Sequence, residues 1–305
     1  MEQQNQEHKT EQIHEGKNWF DKYYKLMMII PIILVLCCLI YLGIFYSEHN
    51  EFIFKDVSLS GGTSITLRGN NIDFDKLESS LKEKYNDVSF RKLTDIKTGA
   101  ILAFVIESSA QSDVLKKDIE TIIGQELTPE NSSIEFTGPS LSNNFYKQLI
   151  IALIISFVLM SIVVLVLFRT FIPSIAVMFA AFSDIVMPLA IIDILGIKLS
   201  AAGIAAFLML IGYSVDTDIL LTTRAIKKKE GSLNQRIYGA FKVGILMTLT
   251  SLAAVLPAFF LVTGLPDSFR QIFLILALGL SADIINTWLT NVGIIKWYCQ
   301  KKGIS

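Results

Sequence analysis

The chain has 305 residues, of which 52% are hydrophobic and only 18% charged, well short of the roughly 25% charged residues of an average soluble domain. Lys and Arg number 27 against 28 Asp and Glu, a net charge of -1, so no basic surplus exists to neutralise a phosphate backbone and nucleic-acid binding is disfavoured. Cys37, Cys38 and Cys299, with His8, His14 and His49, have no spacing that would staple a domain or hold zinc or haem, and no cofactor or metal is expected.

Residues 1–25 open the chain as a polar tail, and the first 18, rich in Gln, Glu and His, read as solvated and carry no assigned function. An apolar run of about 20 residues spans roughly 30 Å of hydrocarbon, and the first such run is 26–46. Its length, and an end reading Leu42-Gly43-Ile44-Phe45-Tyr46 without a small-x-small cleavage site, mark a retained span and not a secretory signal.

Residues 47–147 change pattern and read as a separate domain. Strands are expected at 51–57, 63–68, 87–93, 100–107 and 132–137, rich in β-branched and aromatic residues and bounded by Gly, Asn and Asp. Phe74, Leu77 and Leu81 mark one helical stripe between them, and Val114, Ile119, Ile122 and Ile123 another. After the first strand the order is β-α-β-β-α-β, the ferredoxin-like arrangement. Gly61-Gly62 reads as a turn, a bulge or a close backbone approach. Thr137-Gly138-Pro139-Ser140-Leu141-Ser142 reads as a strand end, a turn and a helix cap, so Gly61, Gly62, Gly138 and Pro139 are the candidate hinge or turn residues of the tether.

Residues 148–298 carry five more apolar runs, 149–168, 173–195, 199–221, 243–262 and 272–294, and 299–305 form a short tail. Six spans put both termini on one side. Lys9, Lys17, Lys22 and Lys25 precede the first span, Arg224, Lys227, Lys228, Lys229 and Arg236 separate the fourth from the fifth, and Lys296, Lys301 and Lys302 follow the sixth. The opposite short loops hold only Lys198 and Arg270, so both termini are expected in the cytoplasm. The fold class expected is an α-helical polytopic membrane protein of six transmembrane helices, with an α+β ferredoxin-like extracytoplasmic domain between helices one and two.

A carboxylate near the centre of a spanning helix costs about 2.5–3.5 kcal/mol on insertion scales, so those present are paired, neutral, or turned to a protein interior or water path. Asp184 lies mid-span in the third run and Asp283 mid-span in the sixth, while Asp216 and Asp218 lie in the fourth, roughly 9 and 12 Å inward of the midplane at 1.5 Å per residue. Two residues turn a helix by about 200°, so Asp216 and Asp218 cannot share a face. Asp218 aligns with Ser214 and Thr222, and Asp216 with Gly212 and Thr223; the alternative for either is a cap or a snorkel toward Arg224 and the cluster Lys227, Lys228 and Lys229. No strong cation sits at the centre of any span, Arg224 and Lys242 falling at helix ends. Such acids can bind and release a proton through a conformational cycle. The ion-relay candidates are Asp216, Asp218, Asp184 and Asp283, with Ser214, Thr217, Thr222 and Asn286 as polar support. Thr248, Thr250, Ser251, Thr287, Thr290 and Asn291 offer further relay groups or interhelical hydrogen bonds, and Asp193 is placed at the outer interface.

Gly61-Gly62-Thr63, Thr137 to Ser142, Ser183-Asp184, the string Ile211-Gly212-Tyr213-Ser214-Val215-Asp216-Thr217-Asp218-Ile219-Leu220-Leu221-Thr222-Thr223-Arg224, and Ala282-Asp283-Ile284-Ile285-Asn286-Thr287-Trp288 together resemble the SecD/SecF family of the resistance-nodulation-division superfamily, in its archaeal SecF form. The resemblance covers about residues 26–298 and is most specific in the fourth span. It implies a non-enzymatic accessory subunit of the Sec export machinery in the cytoplasmic membrane, paired with SecD, associated with the SecY channel, and acting on exported polypeptide chains amid membrane lipid. In bacterial members it implies that ion flow through the membrane part moves the outer domain and helps draw the exported chain outward. The bacterial fourth span has Asn-Asp, and a gapless comparison puts its Asp at Thr217, between Asp216 and Asp218. A bacterial Arg in the fifth span has no match in kind, Lys242 lying one place from it. The rival readings are a passive scaffold of the SecD/SecF complex and a small-molecule transporter half of the same superfamily. An intramembrane aspartyl protease lacks its Gly-x-Gly-Asp signature here, and no Gly-x-x-x-x-Gly-Lys-Ser/Thr loop supports ATP hydrolysis.

Overall fold

A computed structural model describes residues 19–68, 72–94, 101–228, 231–261 and 267–304; the N-terminal tail with Lys9 and Lys17, and Lys229, lie outside them. Helix α1 (Trp19–His49) leads through one short turn of helix, α2 (Val57–Ser60), into an inserted domain of β1 (Gly62–Arg68), α3 (Phe74–Lys84), β2 (Ser89–Thr94), β3 (Ile101–Ser108), α4 (Ser112–Ile123) and β4 (Ser132–Thr137). Then come α5 (Pro139–Phe168), α6 (Phe171–Ile194), α7 (Ala201–Lys227), α8 (Leu233–Leu261) and α9 (Asp267–Ile285), which runs on through a π-helical segment (Asn286–Asn291) into α10 (Val292–Lys302). Helices α1, α5, α6, α7, α8 and the α9–α10 rod are each long and apolar enough to cross a membrane, which makes the chain a multi-pass membrane protein. Several extend past their apolar runs. The α5 helix, for instance, begins at Pro139, whose ring presets the φ of a first helical turn.

The inserted domain has strand order β2-β3-β1-β4 with every neighbour antiparallel. Period-two alternation turns Ile65 and Leu67 of β1 and Phe104 and Ile106 of β3 to one face, where Leu77 and Leu81 of α3 and Leu115 and Ile119 of α4 bury them completely. Val114, expected in the α4 stripe, is 49% exposed, because the inward register of that helix runs through Leu115 and Ile119.

The expected strand at 51–57 does not form. The sheet described consists of β1 to β4, and the segment's backbone finds its partner elsewhere, in one bridge, Lys55 to Leu199, to the turn between α6 and α7. The Leu199 N–H donates to the Phe54 carbonyl at 2.6 Å and the Asp56 N–H to the Leu199 carbonyl at 3.0 Å. Asp56 then caps α2 by accepting from the Ser58 N–H at 2.9 Å, and Ser58 Oγ accepts from the Ala201 N–H at the start of α7. Lys198 of the same turn donates to Ser89 Oγ at 2.7 Å and pairs with Glu107 of β3, which also pairs with Arg91. The domain is therefore fastened to the membrane helices at the α6–α7 turn as well as through its two covalent connections.

Burial pushes the Asp56 carboxyl up to about 6, with Ser58 opposing the rise, Glu107 adding to it and Arg91 reducing it. The joint thus favours the protonated acid. Its contribution to stability is full below the ordinary carboxylate value and is lost as pH rises through about 6, a loss of about 3 kcal/mol for a rise of about two pH units. Asp56→Asn keeps the cap and removes the charge. The purified full-length variant is expected to melt higher than wild type at pH 7.5 and to match it near pH 3, below the ordinary carboxylate value; a variant no more stable at pH 7.5 would contradict this account.

In the membrane part, α6, α7 and the α9–α10 rod form the interior and are more than half buried, whereas α5 and α8 lie outside and are mostly exposed. Glycines set the closest approaches. A Cβ on Gly279 of α9 would stand 2.2 Å from Leu210 of α7, and one on Gly244 of α8 2.4 Å from Trp288. Lys22, Lys25, Arg224, Lys227, Arg236, Arg270, Lys296, Lys301 and Lys302, counted above as loop cations, lie within helices. Lys296 is 1% exposed and is paired with Asp21 and with Asn234 Oδ1 at 2.8 Å, because the last helix continues past residue 294 and needs a partner for any charge it buries.

Candidate intramembrane ion site

Three of the four candidate acids meet. Asp184 of α6, Asp218 of α7 and Asp283 of α9 are 0%, 0% and 1% exposed, and each presents a carboxylate oxygen within 4.8 Å of the others. The depth offset inferred from the apolar runs is corrected here. Helix α7 continues to Lys227, so its middle falls at Ser214, and Asp218 lies only about 6 Å beyond it, level with acids on the neighbouring helices. Asp218 does not snorkel; Arg224 donates instead to the Gly239 carbonyl at 2.7 Å.

Hydroxyls and amides surround the carboxylates. Ser214 donates to Asp184 Oδ2 and Asn286 Nδ2 to Asp184 Oδ1 at 2.6 Å. Thr217 donates to Asp283 at 3.0 Å and Thr248 of α8 at 3.3 Å. Asn291 Nδ2 donates to Asp218 Oδ1 at 2.6 Å. Thr287 lies 2.8 Å from Asp218 and 2.9 Å from Asp283, yet its one hydroxyl hydrogen serves a single acceptor at a time. Among the described residues no Lys, Arg or His bonds any of the three. Asp218 Oδ2, Asn286 Oδ1 and Asn291 Oδ1 are buried without a donor, so the cluster has more acceptors than hydrogens. Burying uncompensated negative charge is costly, and these oxygens are the donor set that suits a proton or a hard cation.

The π-helical segment supplies Asn286, Thr287 and Asn291. Such an insertion rotates the residues after it relative to a regular helix, and it occurs often at functional sites. Nothing in the hydrophobic period announced it. Thr222 is buried with its hydroxyl unpartnered. Asp216, about 200° round α7 from Asp218, is exposed on the opposite face. Thr250 is exposed and donates to the Met247 carbonyl of its own helix, and Asp193 is buried at 4% exposure. The two hinge candidates touch: Gly61 and Gly62 have φ of +86° and +132°, and a Cβ on Gly61 would stand 2.5 Å from the Pro139 backbone.

Fold and site together define a multi-pass membrane protein with, among the described residues, six long apolar helices, an α+β domain inserted after the first and an acidic cluster buried between the others. Residues 118–301 match the family described as protein export membrane protein SecD/SecF, C-terminal. The protein-export membrane protein SecF of Methanocaldococcus jannaschii is 37% identical over 281 residues, covering 91% of this chain and 96% of that one. SecF of Pyrococcus furiosus is 36% identical over 91% of this chain and 92% of its own. The chain belongs to the SecD/SecF family of protein-export membrane proteins. Its fold is similar to that of SecDF, a translocon-associated membrane protein from Thermus thermophilus, with a TM-score of 0.72 at 17% identity over 92% of this chain. The chain spans 38% of that longer protein. A second SecDF structure, in a super-membrane-facing form, gives a TM-score of 0.57 at 20% identity.

Proposed function

We propose that the chain is an accessory subunit of the Sec protein-export machinery that acts with a SecD-type subunit, driven by an ion gradient through Asp184, Asp218 and Asp283. In this reading it lies in the cytoplasmic membrane with both termini in the cytoplasm, its ferredoxin-like domain outside near exported polypeptide chains and the SecY channel, and it catalyses no reaction. Family membership supports the export role. The observation that carries the ion coupling is the shared Thr287 hydroxyl between Asp218 and Asp283. With both acids ionised one lacks that donor, and an arriving proton or hard cation supplies what is missing, so occupancy changes how α7 and α9 are tied together. Helix α7 is capped by Ser200, beside the Lys198–Glu107 fastening of the inserted domain, which gives a short mechanical route from the site to that domain.

The test is secretion of a Sec-dependent reporter in cells depleted of the chain and complemented with it, measured before and after collapse of the ion gradient. Complementation is expected to restore a component that disappears with the gradient. Secretion restored equally with and without the gradient would make the subunit a passive scaffold.

A further inference from the structure

We propose that the groove between α1, α8 and the π-helical segment binds one anionic phospholipid, its acyl chain in an apolar cavity and its phosphate in a polar cavity next to it. The two cavities adjoin at Asn234, which lines both. The apolar one, about 420 Å³, is walled by Met27 of α1, by Ile237, Tyr238 and Phe241 of α8, and by Trp288 and Leu289 of the π-helical segment. The polar one, about 560 Å³, is lined by Asp21, Ser232, Lys296 and Gln300. Both volumes fall in the range of small-molecule sites. The walls change character together. Along the last rod Val292, Lys296 and Gln300 recur on one face at i, i+4 and i+8, and Lys296 Nζ donates to Asn234 Oδ1 at 2.8 Å while Asn234 Nδ2 donates to Asp21 at 3.0 Å. Those two bonds tie α10, α8 and α1 at a single level, with the apolar cavity on one side of it and the polar cavity on the other.

Length and charge select the occupant. From Asn234 to Phe241 the apolar cavity follows α8 for seven residues, about 10 Å. That is within one leaflet's half-thickness of about 15 Å and far short of the roughly 30 Å that a spanning helix needs, so the cavity suits a lipid chain and not a partner's helix. At the polar end, exposed Lys22, Lys301 and Lys302 stand in the chain beside the lining residues Asp21, Gln300 and Gly303. Among the described residues, the first two turns of α1 and all of α10 hold one acid, Asp21, which is already paired with Lys296. The mouth is therefore cationic, and basic residues at a membrane surface attract anionic headgroups. In the orientation proposed above this is the cytoplasmic leaflet. The chain of the lipid packs on Trp288 and Leu289, members of the same segment that brings Asn286, Thr287 and Asn291 to the buried acids, so its binding holds that segment in place.

The experiment is native mass spectrometry of the purified, delipidated full-length chain titrated with phosphatidylglycerol or with phosphatidylcholine. One phosphatidylglycerol is expected to bind per chain at about a tenth of the phosphatidylcholine concentration needed, or less, and glycerol phosphate, which has no chains, is expected not to displace it. Met27→Trp and Leu289→Trp enlarge half-buried walls of the groove and are each expected to weaken that first binding event at least tenfold without lowering the melting temperature. Replacing exposed Lys22, Lys301 and Lys302 together by Gln leaves the groove intact and is expected to bring phosphatidylglycerol to the level of phosphatidylcholine. Hydrogen exchange at residues 286–291 is expected to slow when the lipid is bound. Equal binding of the two lipids, a graded series with no tight first event, or unchanged binding by the lysine variant would reduce the groove to ordinary lipid contact and overturn the site. Full displacement by glycerol phosphate would make it a site for free phosphate, and loss of the bound lipid when the SecD-type subunit joins would make the occupant protein; either result also overturns it.

Discussion

Asp218→Asn and Asp283→Asn are each expected to abolish the gradient-dependent part of secretion, a loss of more than tenfold, while the protein remains in the membrane at its normal level. Asparagine has the volume of aspartate and retains one acceptor, but it cannot take up a proton or neutralise a cation. Removing one of three clustered negative charges also relieves repulsion, so the fold has no reason to fail; at most one buried hydrogen bond is mismatched, about 1–3 kcal/mol. Thr287→Val provides an intermediate. It deletes the hydroxyl that Asp218 and Asp283 share and is expected to slow the gradient-dependent component about tenfold, equivalent to about 1.4 kcal/mol. The check is the reporter assay with and without the gradient. Full gradient-dependent secretion in both Asn variants would remove the cluster from the coupling mechanism.

Gly62→Val is expected to unfold the joint between the inserted domain and the membrane helices. Gly62 has φ of +132°, and a Cβ there would stand 2.4 Å from the carbonyl oxygen of Ser108. That oxygen belongs to β3, which is paired with β1 beginning at Thr63 opposite Ser108, so it cannot withdraw without parting the two central strands. The backbone strain alone is of order 1–3 kcal/mol, and the clash adds to it, giving a loss of about 4 kcal/mol or more. Gly138→Ala is the matched control. Its φ is -64° and nothing lies within 4 Å of its Cβ position, so its stability is expected within about 0.5 kcal/mol of wild type. Thermal unfolding and limited proteolysis of the purified full-length variants would decide it, and a Gly62→Val protein as protease-resistant as wild type would show that the joint relaxes.

The sequence by itself determined the six membrane helices, since runs of about 20 apolar residues admit no other structure in lipid. It also determined the β-α-β-β-α-β order of the inserted domain, because Ile65, Leu67, Phe104 and Ile106 alternate at period two while Leu77 and Leu81 recur at helical spacing. Helical geometry alone separated Asp216 from Asp218, which no packing could bring to one face. Which of these acids meets the others was a tertiary matter: Asp184, Asp218 and Asp283 are 34 and 65 residues apart in sequence, and only the packing of α6, α7 and α9, with Gly279 against Leu210, brings their oxygens within 4.8 Å. The π-helical segment that aims Asn286, Thr287 and Asn291 at them, the pairing of buried Lys296 with Asp21, and the diversion of residues 51–57 from a strand to the α6–α7 turn were likewise decided in three dimensions. Local periodicity records which side of an element is apolar. It does not record the partner that a polar group finds once that side is buried, and in this protein those partners make the site.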